Sequence, residues 1–288
     1  MAGGVPTVPR RLLGDAIRRL RQQSGKTLDE AAAAIDKNRV QLIRVIEGNG
    51  RITAEDLATL LDYLGAGAKE KRELLELGVE ARKRSSRRRY ADALPREFER
   101  FAQIETLATE IWHYSKGVIP GLLQTEDYVQ AQMSIGDGVW WEPSWKERRN
   151  RIDYRLNRQR EMLGADPPKA LRFIITDDAL RTEMGSPEVM RAQLAHLLHV
   201  IDRYPNIDIR VISSTVPGNP APESGMVLFF FAEPLRPIGN MPVSYGPSNF
   251  FEETPDTHKM AVAFNLLQEL AMSSAESRFM IEELLSDG

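Results

Sequence analysis

The 288-residue chain reads as an α+β protein in two parts: an N-terminal all-α unit built around a helix-turn-helix, then an α+β body with a small sheet. Three observations carry that reading. Capped amphipathic segments follow one another up to about residue 80 with no strand pattern between them. Short apolar runs at 171–176, 207–213 and 226–232 then alternate with helical patterns. Charge also changes sign along the chain: residues 1–90 hold 19 Lys and Arg against 12 Asp and Glu, and the remainder holds 19 against 29. A basic head on an acidic body suits contact with nucleic acid through one end.

The elements follow in order. A helix over 9–23 places Leu12, Leu13, Ala16, Ile17 and Leu20 on one stripe. Thr27 and Glu30 have the spacing of a capping box, in which each side chain bonds the other residue's backbone N–H. Ala31, Ala32 and Ile35 give that second helix a small-residue face. After the polar break Asp36-Lys37-Asn38, a third helix is expected over about 38–47, its apolar residues facing inward and Asn38, Arg39, Gln41 and Arg44 facing out. Arg, Gln and Asn make bidentate contacts to guanine and adenine edges, so these four are the candidate base contacts. Asp36 stands where a tight turn favours glycine, and Asp tolerates the left-handed conformation better than most residues. Thr53 with Asp56 opens a fourth helix carrying Leu57, Leu60, Leu61 and Leu64, and a fifth runs over 69–84. Five short helices in some eighty residues match the size of a lambda-repressor-like DNA-binding domain.

Six cations crowd 82–89 (Arg82, Lys83, Arg84, Arg87, Arg88, Arg89). Together with Lys26, Lys37 and Arg51 they are the candidate phosphate contacts, each neutralised phosphate releasing counterions. The expected organisation is a DNA-binding domain over 1–80, a basic linker over 81–94, and a regulatory or partner-binding domain over 95–288.

In that body, 97–110 reads as a helix, 111–114 as extended, and 143–163 as a basic amphipathic helix. Ser186-Pro187 opens a helix to about 203. Further short strands are expected over 241–245 and 249–252, and Thr254-Pro255 caps the last helices. Trp112, Tyr114, Trp140, Trp141 and Trp145 lie close in sequence and are the candidate ligand or partner residues, with Trp140-Trp141 expected in an exposed loop.

Catalytic chemistry is sparse. The chain has no cysteine, which excludes disulfides, cysteine-ligated zinc and thiol catalysis. His196 and His199 have a spacing metals use but no third ligand nearby in sequence. Asp177-Asp178 ends a strand, and no glycine-rich phosphate loop is present. No enzyme activity, metal or cofactor is expected. No apolar run spans a membrane and no signal core is visible, which points to a cytoplasmic setting.

Val118-Ile119-Pro120-Gly121-Leu122-Leu123-Gln124-Thr125-Glu126-Asp127-Tyr128 supports a more specific reading, together with Asp178-Ala179-Leu180-Arg181, the block from Gly185 to Leu198, and the strand from 207. With these blocks the chain resembles the actinobacterial helix-turn-helix regulators of the XRE type, also described as antitoxin-like, whose C-terminal half is a domain of unknown function. The resemblance implies a regulator of a double-stranded DNA operator, often encoded beside a small acidic partner protein. A homodimer is expected because one small module reads too few bases. Two other roles stand for the body: a small-molecule sensor with a pocket around Trp112, Tyr114 and Phe229 to Phe231, or a toxin-like catalytic domain using Asp177 or Asp178. The chain departs from the family's pattern between Thr27 and Glu47, where it is one residue longer. That leaves open by one helical position, or about 100°, which of Asn38, Arg39, Gln41 and Arg44 meets a base.

Overall fold

The computed structural model describes residues 8–82, 96–137, 139, 144–233, 235–243 and 249–287. The chain divides into two compact units, the first holding the five N-terminal helices and the second the sheet. Segments 98–104 and 231–236 group with the first.

In the first unit, α1 (Val8–Ser24) buries the expected stripe of Leu12, Leu13, Ala16, Ile17 and Leu20. Gly14, on the same face, lets α1 meet the next helices at backbone distance. A Cβ there would stand 2.1 Å from the carbonyl oxygen of Ile46. Helix α2 (Leu28–Ala33) is capped by Thr27, and α3 (Arg39–Ile46) by Asn38. Helices α4 (Ala54–Tyr63) and α5 (Ala68–Arg82) complete the unit, Thr53 capping α4 through the Asp56 N–H. Leu57, Leu60 and Leu61 are fully buried, each stabilising the fold by roughly 1.5–3 kcal/mol.

The second unit is built on one six-stranded sheet in the order β3-β2-β1-β4-β5-β6. Strands β1 (Glu110–Ser115), β2 (Ala170–Thr176) and β3 (Ile207–Ile212) are parallel. Strands β4 (Met226–Phe230), β5 (Ile238–Met241) and β6 (Asn249–Phe251) continue the sheet antiparallel. The parallel strands are joined by helical crossovers, as parallel pairing requires. From β1 to β2 the chain passes through a 3-10 turn at Gly121–Leu123, then α7 (Glu126–Ile135) and α8 (Trp145–Leu163). From β2 to β3 it passes through α9 (Asp177–Arg181) and α10 (Pro187–Arg203). Helix α6 (Arg96–Leu107) precedes β1, and α11 (Thr254–Leu270) and α12 (Ser274–Asp287) end the fold.

One sheet face, carrying Tyr114, Ile174, Ile212, Met226 and Leu228, packs against Met260, Phe264 and Leu267 of α11. The β3 edge is closed rather than left open to pairing: the Val211 N–H donates to Ser277 Oγ at 2.8 Å, and the Val211 carbonyl accepts from Met272 N–H at 2.9 Å.

Three local expectations change. The strand expected over 241–245 lies earlier, at Ile238–Met241, where it pairs with β4 and β6. Thr254 does not cap α11; Glu253 holds the cap position without a side-chain bond. Asp177 and Asp178 open α9 rather than end β2. Among the described residues no helix is long and apolar enough to cross a membrane.

Candidate nucleic-acid interface

The turn between α2 and α3 sets the geometry. Asp36 has φ +51°, the only positive φ outside glycine among the described residues. Its N–H bonds to Ala33 O at 3.1 Å while the Lys37 N–H reaches back to Ala32 O at 3.0 Å. That pair of bonds is the Schellman arrangement, which closes a helix with a left-handed residue. The chain then turns directly into α3.

Asn38 and Gln41 form a reciprocal cap. Asn38 Oδ1 accepts from the Gln41 N–H at 2.9 Å, and Gln41 Oε1 accepts from the Asn38 N–H at 3.0 Å. Both side chains are therefore engaged in starting the helix. Arg39 and Arg44 are exposed. Arg39 Nη1 lies 3.7 Å from Asp29 Oδ2, and both side chains are open to water, so this weak pair yields readily to a phosphate or base. Leu42 and Ile46 face the core, but Val40 does not: it is 60% exposed. The expectation that every apolar residue of α3 faces inward fails there. Helical geometry explains it, since Val40 is two residues, about 200°, from Leu42. The same count could have found it in the sequence.

The candidate phosphate contacts separate into three environments. Lys37 Nζ lies 3.5 Å from Asp56 Oδ2 at the start of α4. Lys26 Nζ sits 5.1 Å from the Tyr63 ring centroid, a cation–π distance. Arg51 and Arg82 line one crevice with Arg10, a residue that no sequence motif singles out. Arg10 Nε donates to Ala81 O at 3.0 Å, and its pKa is lowered by burial and by the charge of Arg51. Three arginines around one crevice concentrate positive charge there. Lys83, Arg84, Arg87, Arg88 and Arg89 lie outside the described residues.

Among the described aromatic candidates, Trp112 and Tyr114 share one cluster and Trp145 is exposed elsewhere. Trp112 stacks on Phe264 at 5.1 Å and tilts against Phe230 at 4.5 Å, with Arg172 above its ring and Glu110 accepting its indole N–H. Tyr114 is fully buried and its hydroxyl accepts from Asn219 at 3.0 Å. Tyr114 belongs to the core, and the half-buried Trp112 packs against it. Trp145 opens α8 and is 79% exposed, in the same helical hairpin as Ile135 at 67% and Val139 at 68%. Trp140 and Trp141 lie outside the described residues.

The block from Val118 to Tyr128 is a structural junction, and glutamines far away in sequence complete it. Gln159 Nε2 donates to Gly121 O and Gln124 O at 2.6 and 2.9 Å. Gln193 donates to Leu123 O at 2.6 Å and accepts from Thr125 N–H at 2.7 Å. Gln124 Nε2 reaches Ile119 O at 2.7 Å. The backbone groups of this turn between β1 and α7 are thereby satisfied in a buried place. Beside it Arg158 pairs with the buried Glu105 at 3.0 Å. Burial pushes the Glu105 carboxyl up, and burial with the nearby Arg158 charge brings the His113 pKa down to about 4.

Elsewhere the titratable groups stay scattered. Burial raises the Asp177 pKa, but hydrogen bonds from Ser214, including its N–H to Oδ1, and from the Asp178 backbone, with the charge of Arg181, together outweigh this and leave it below the usual range. The rings of His196 and His199 lie 6.5 Å apart on α10. Among the described residues no three His, Asp or Glu side chains are grouped to hold a metal.

With this geometry in view, two families match. A helix-turn-helix domain covers residues 12–75, and the family described as Domain of unknown function (DUF5753) covers residues 98–283. No curated protein and no solved structure matches the chain. The first match assigns α1 to α5 to DNA binding, in agreement with the capped turn and the outward arginines of α3.

Proposed function

The chain belongs to the DUF5753 family, and from that premise we propose that it is a sequence-specific transcriptional regulator of the XRE type, acting as a homodimer in the cytoplasm. Helix α3 enters the major groove, and Lys26, Arg51 and the cations from Arg82 to Arg89 follow the phosphates. The observation that carries this is the pairing of a helix-turn-helix match with an α3 whose Arg39 and Arg44 stand in solvent. The body provides a docking surface for a small partner protein, and its support is the exposed Ile135, Val139 and Trp145 at one end of the α7–α8 hairpin. No catalytic step is assigned to it.

Two measurements test the reading. Selection from a random duplex library with the full chain should return a site with two related halves, as a dimer requires; recovery of unenriched sequence would overturn it. Replacing the six cations of 82–89 by serine should flatten the dependence of affinity on salt, by about 0.9 in the log–log slope for each phosphate no longer neutralised. The selected sequence should stay the same.

A further inference from the structure

We infer that Val40 reads a thymine methyl group, and that the base-reading set of α3 is Arg39, Val40 and Arg44 rather than the amides of Asn38 and Gln41. The inference rests on the reading that α3 lies in the major groove and deepens it.

A single exposed apolar residue means little in itself. The place of Val40 gives it meaning. It is the most exposed large apolar side chain described in the helix-turn-helix unit, at 60%, and it stands in the first turn of α3. Arg44 follows it four residues later, on the same face of the helix. The two amide side chains near it in sequence are engaged. Asn38 Oδ1 and Gln41 Oε1 each accept the other residue's backbone N–H, at 2.9 and 3.0 Å.

A glutamine reads adenine by accepting from N6–H with its Oε1 and donating to N7 with its Nε2. Gln41 has its acceptor turned back into the cap, which holds that oxygen away from a bidentate pairing with a base. Asn38 is in the same position. The groups that remain outward are two guanidinium forks and one branched hydrocarbon. The guanidinium forks match guanine O6 and N7, and the hydrocarbon matches the one apolar group in the major groove, the C5 methyl of thymine. From Val40 to Arg44 the helix rises about 6 Å, which spans about two base-pair steps of 3.4 Å. Each half-site should therefore hold a thymine within two base pairs of a guanine.

The test uses the full chain and the site that the library selection returns. Replacing each thymine in turn by uracil removes only its methyl group. One such replacement per half-site should weaken binding roughly fourfold, the worth of one buried methyl-sized group. Val40→Ala should lose a similar factor on the natural site and should then be indifferent to that same uracil. Val40 is exposed, so the variant keeps the wild-type melting temperature, which shows that it is folded. Gln41→Glu keeps the capping acceptor and should select the same bases. Losses from uracil and Val40→Ala that multiply independently would overturn the inference, as would silence at every uracil or a changed selected base in Gln41→Glu. A chain that selects no site at all refutes the DNA reading itself, which separates the two failures.

Discussion

Glutamines do opposite work in two segments of this chain. In α3, Gln41 is exposed and closes a bond with a residue three positions away. In the junction around Gly121, Gln159 and Gln193 are buried and reach carbonyl groups 35 to 70 positions away. The distinctive block from Val118 to Tyr128, which marks the family resemblance most clearly, is thus a device of folding. The plainer α3 presents its arginines and a valine to solvent. A conspicuous sequence pattern can mark a place where the backbone needs unusual partners, while a binding face leaves its side chains unengaged.

Substitutions on each side can break or sharpen that contrast. The largest effect on stability at neutral pH belongs to the junction. Gln193→Ala leaves the buried Leu123 O and the part-buried Thr125 N–H without that partner, and stability should fall by about 2 kcal/mol in a urea titration. The bases selected by the folded protein should not change; an altered preference would show that the junction takes part in reading DNA.

Acid should act next, also on the body. The folded His113 pKa of about 4 lies below its ordinary 6.5, so the unfolded chain binds more protons between those values. Its contribution is complete above pH 6.5 and is lost as the pH falls toward 4, by up to ~3 kcal/mol. Glu105, raised by burial, works in the opposite direction over acid pH. Comparing urea midpoints of the natural protein and His113→Gln from pH 7 to 4.5 isolates the histidine. A steeper acid loss in the variant would contradict its burial in the neutral form.

On the DNA side the effects should appear in affinity. Arg44→Ala should weaken specific binding by roughly 1–3 kcal/mol in a gel shift and leave the urea midpoint alone. The smallest effect falls on the cap. Asn38→Ala should lower stability by about 1 kcal/mol, with a modest loss of affinity as the first turn of α3 frays. A large change in selected bases would instead make Asn38 a base reader.

Much of the first unit was legible because its signals are local. Thr27 with Glu30 and Thr53 with Asp56 act across three residues, and both start helices where their spacing placed them, as Ser186 with Pro187 does in the second unit. Asp36 took the left-handed turn expected of it. Val40 was misplaced only because its residue type was weighed above its angle on the helix. In the body, strand existence was readable from apolar runs, but the short β5 was displaced because Gly239 and Asn240 break the apolar pattern that marks a strand.

The sequence alone determined the α+β class, the helix starts, the left-handed turn and the basic head, since each depends on neighbours within a turn of helix or on a sum of charges. The tertiary structure decided the strand order, the packing of Trp112 against the core, the burial of Tyr114, and the glutamine partners of the Gly121 junction. It also brought Arg10, Arg51 and Arg82 to one crevice. Those outcomes depend on segments separated by tens of residues, and their physical cause is the need to satisfy buried polar groups and fill a core, which no local pattern records.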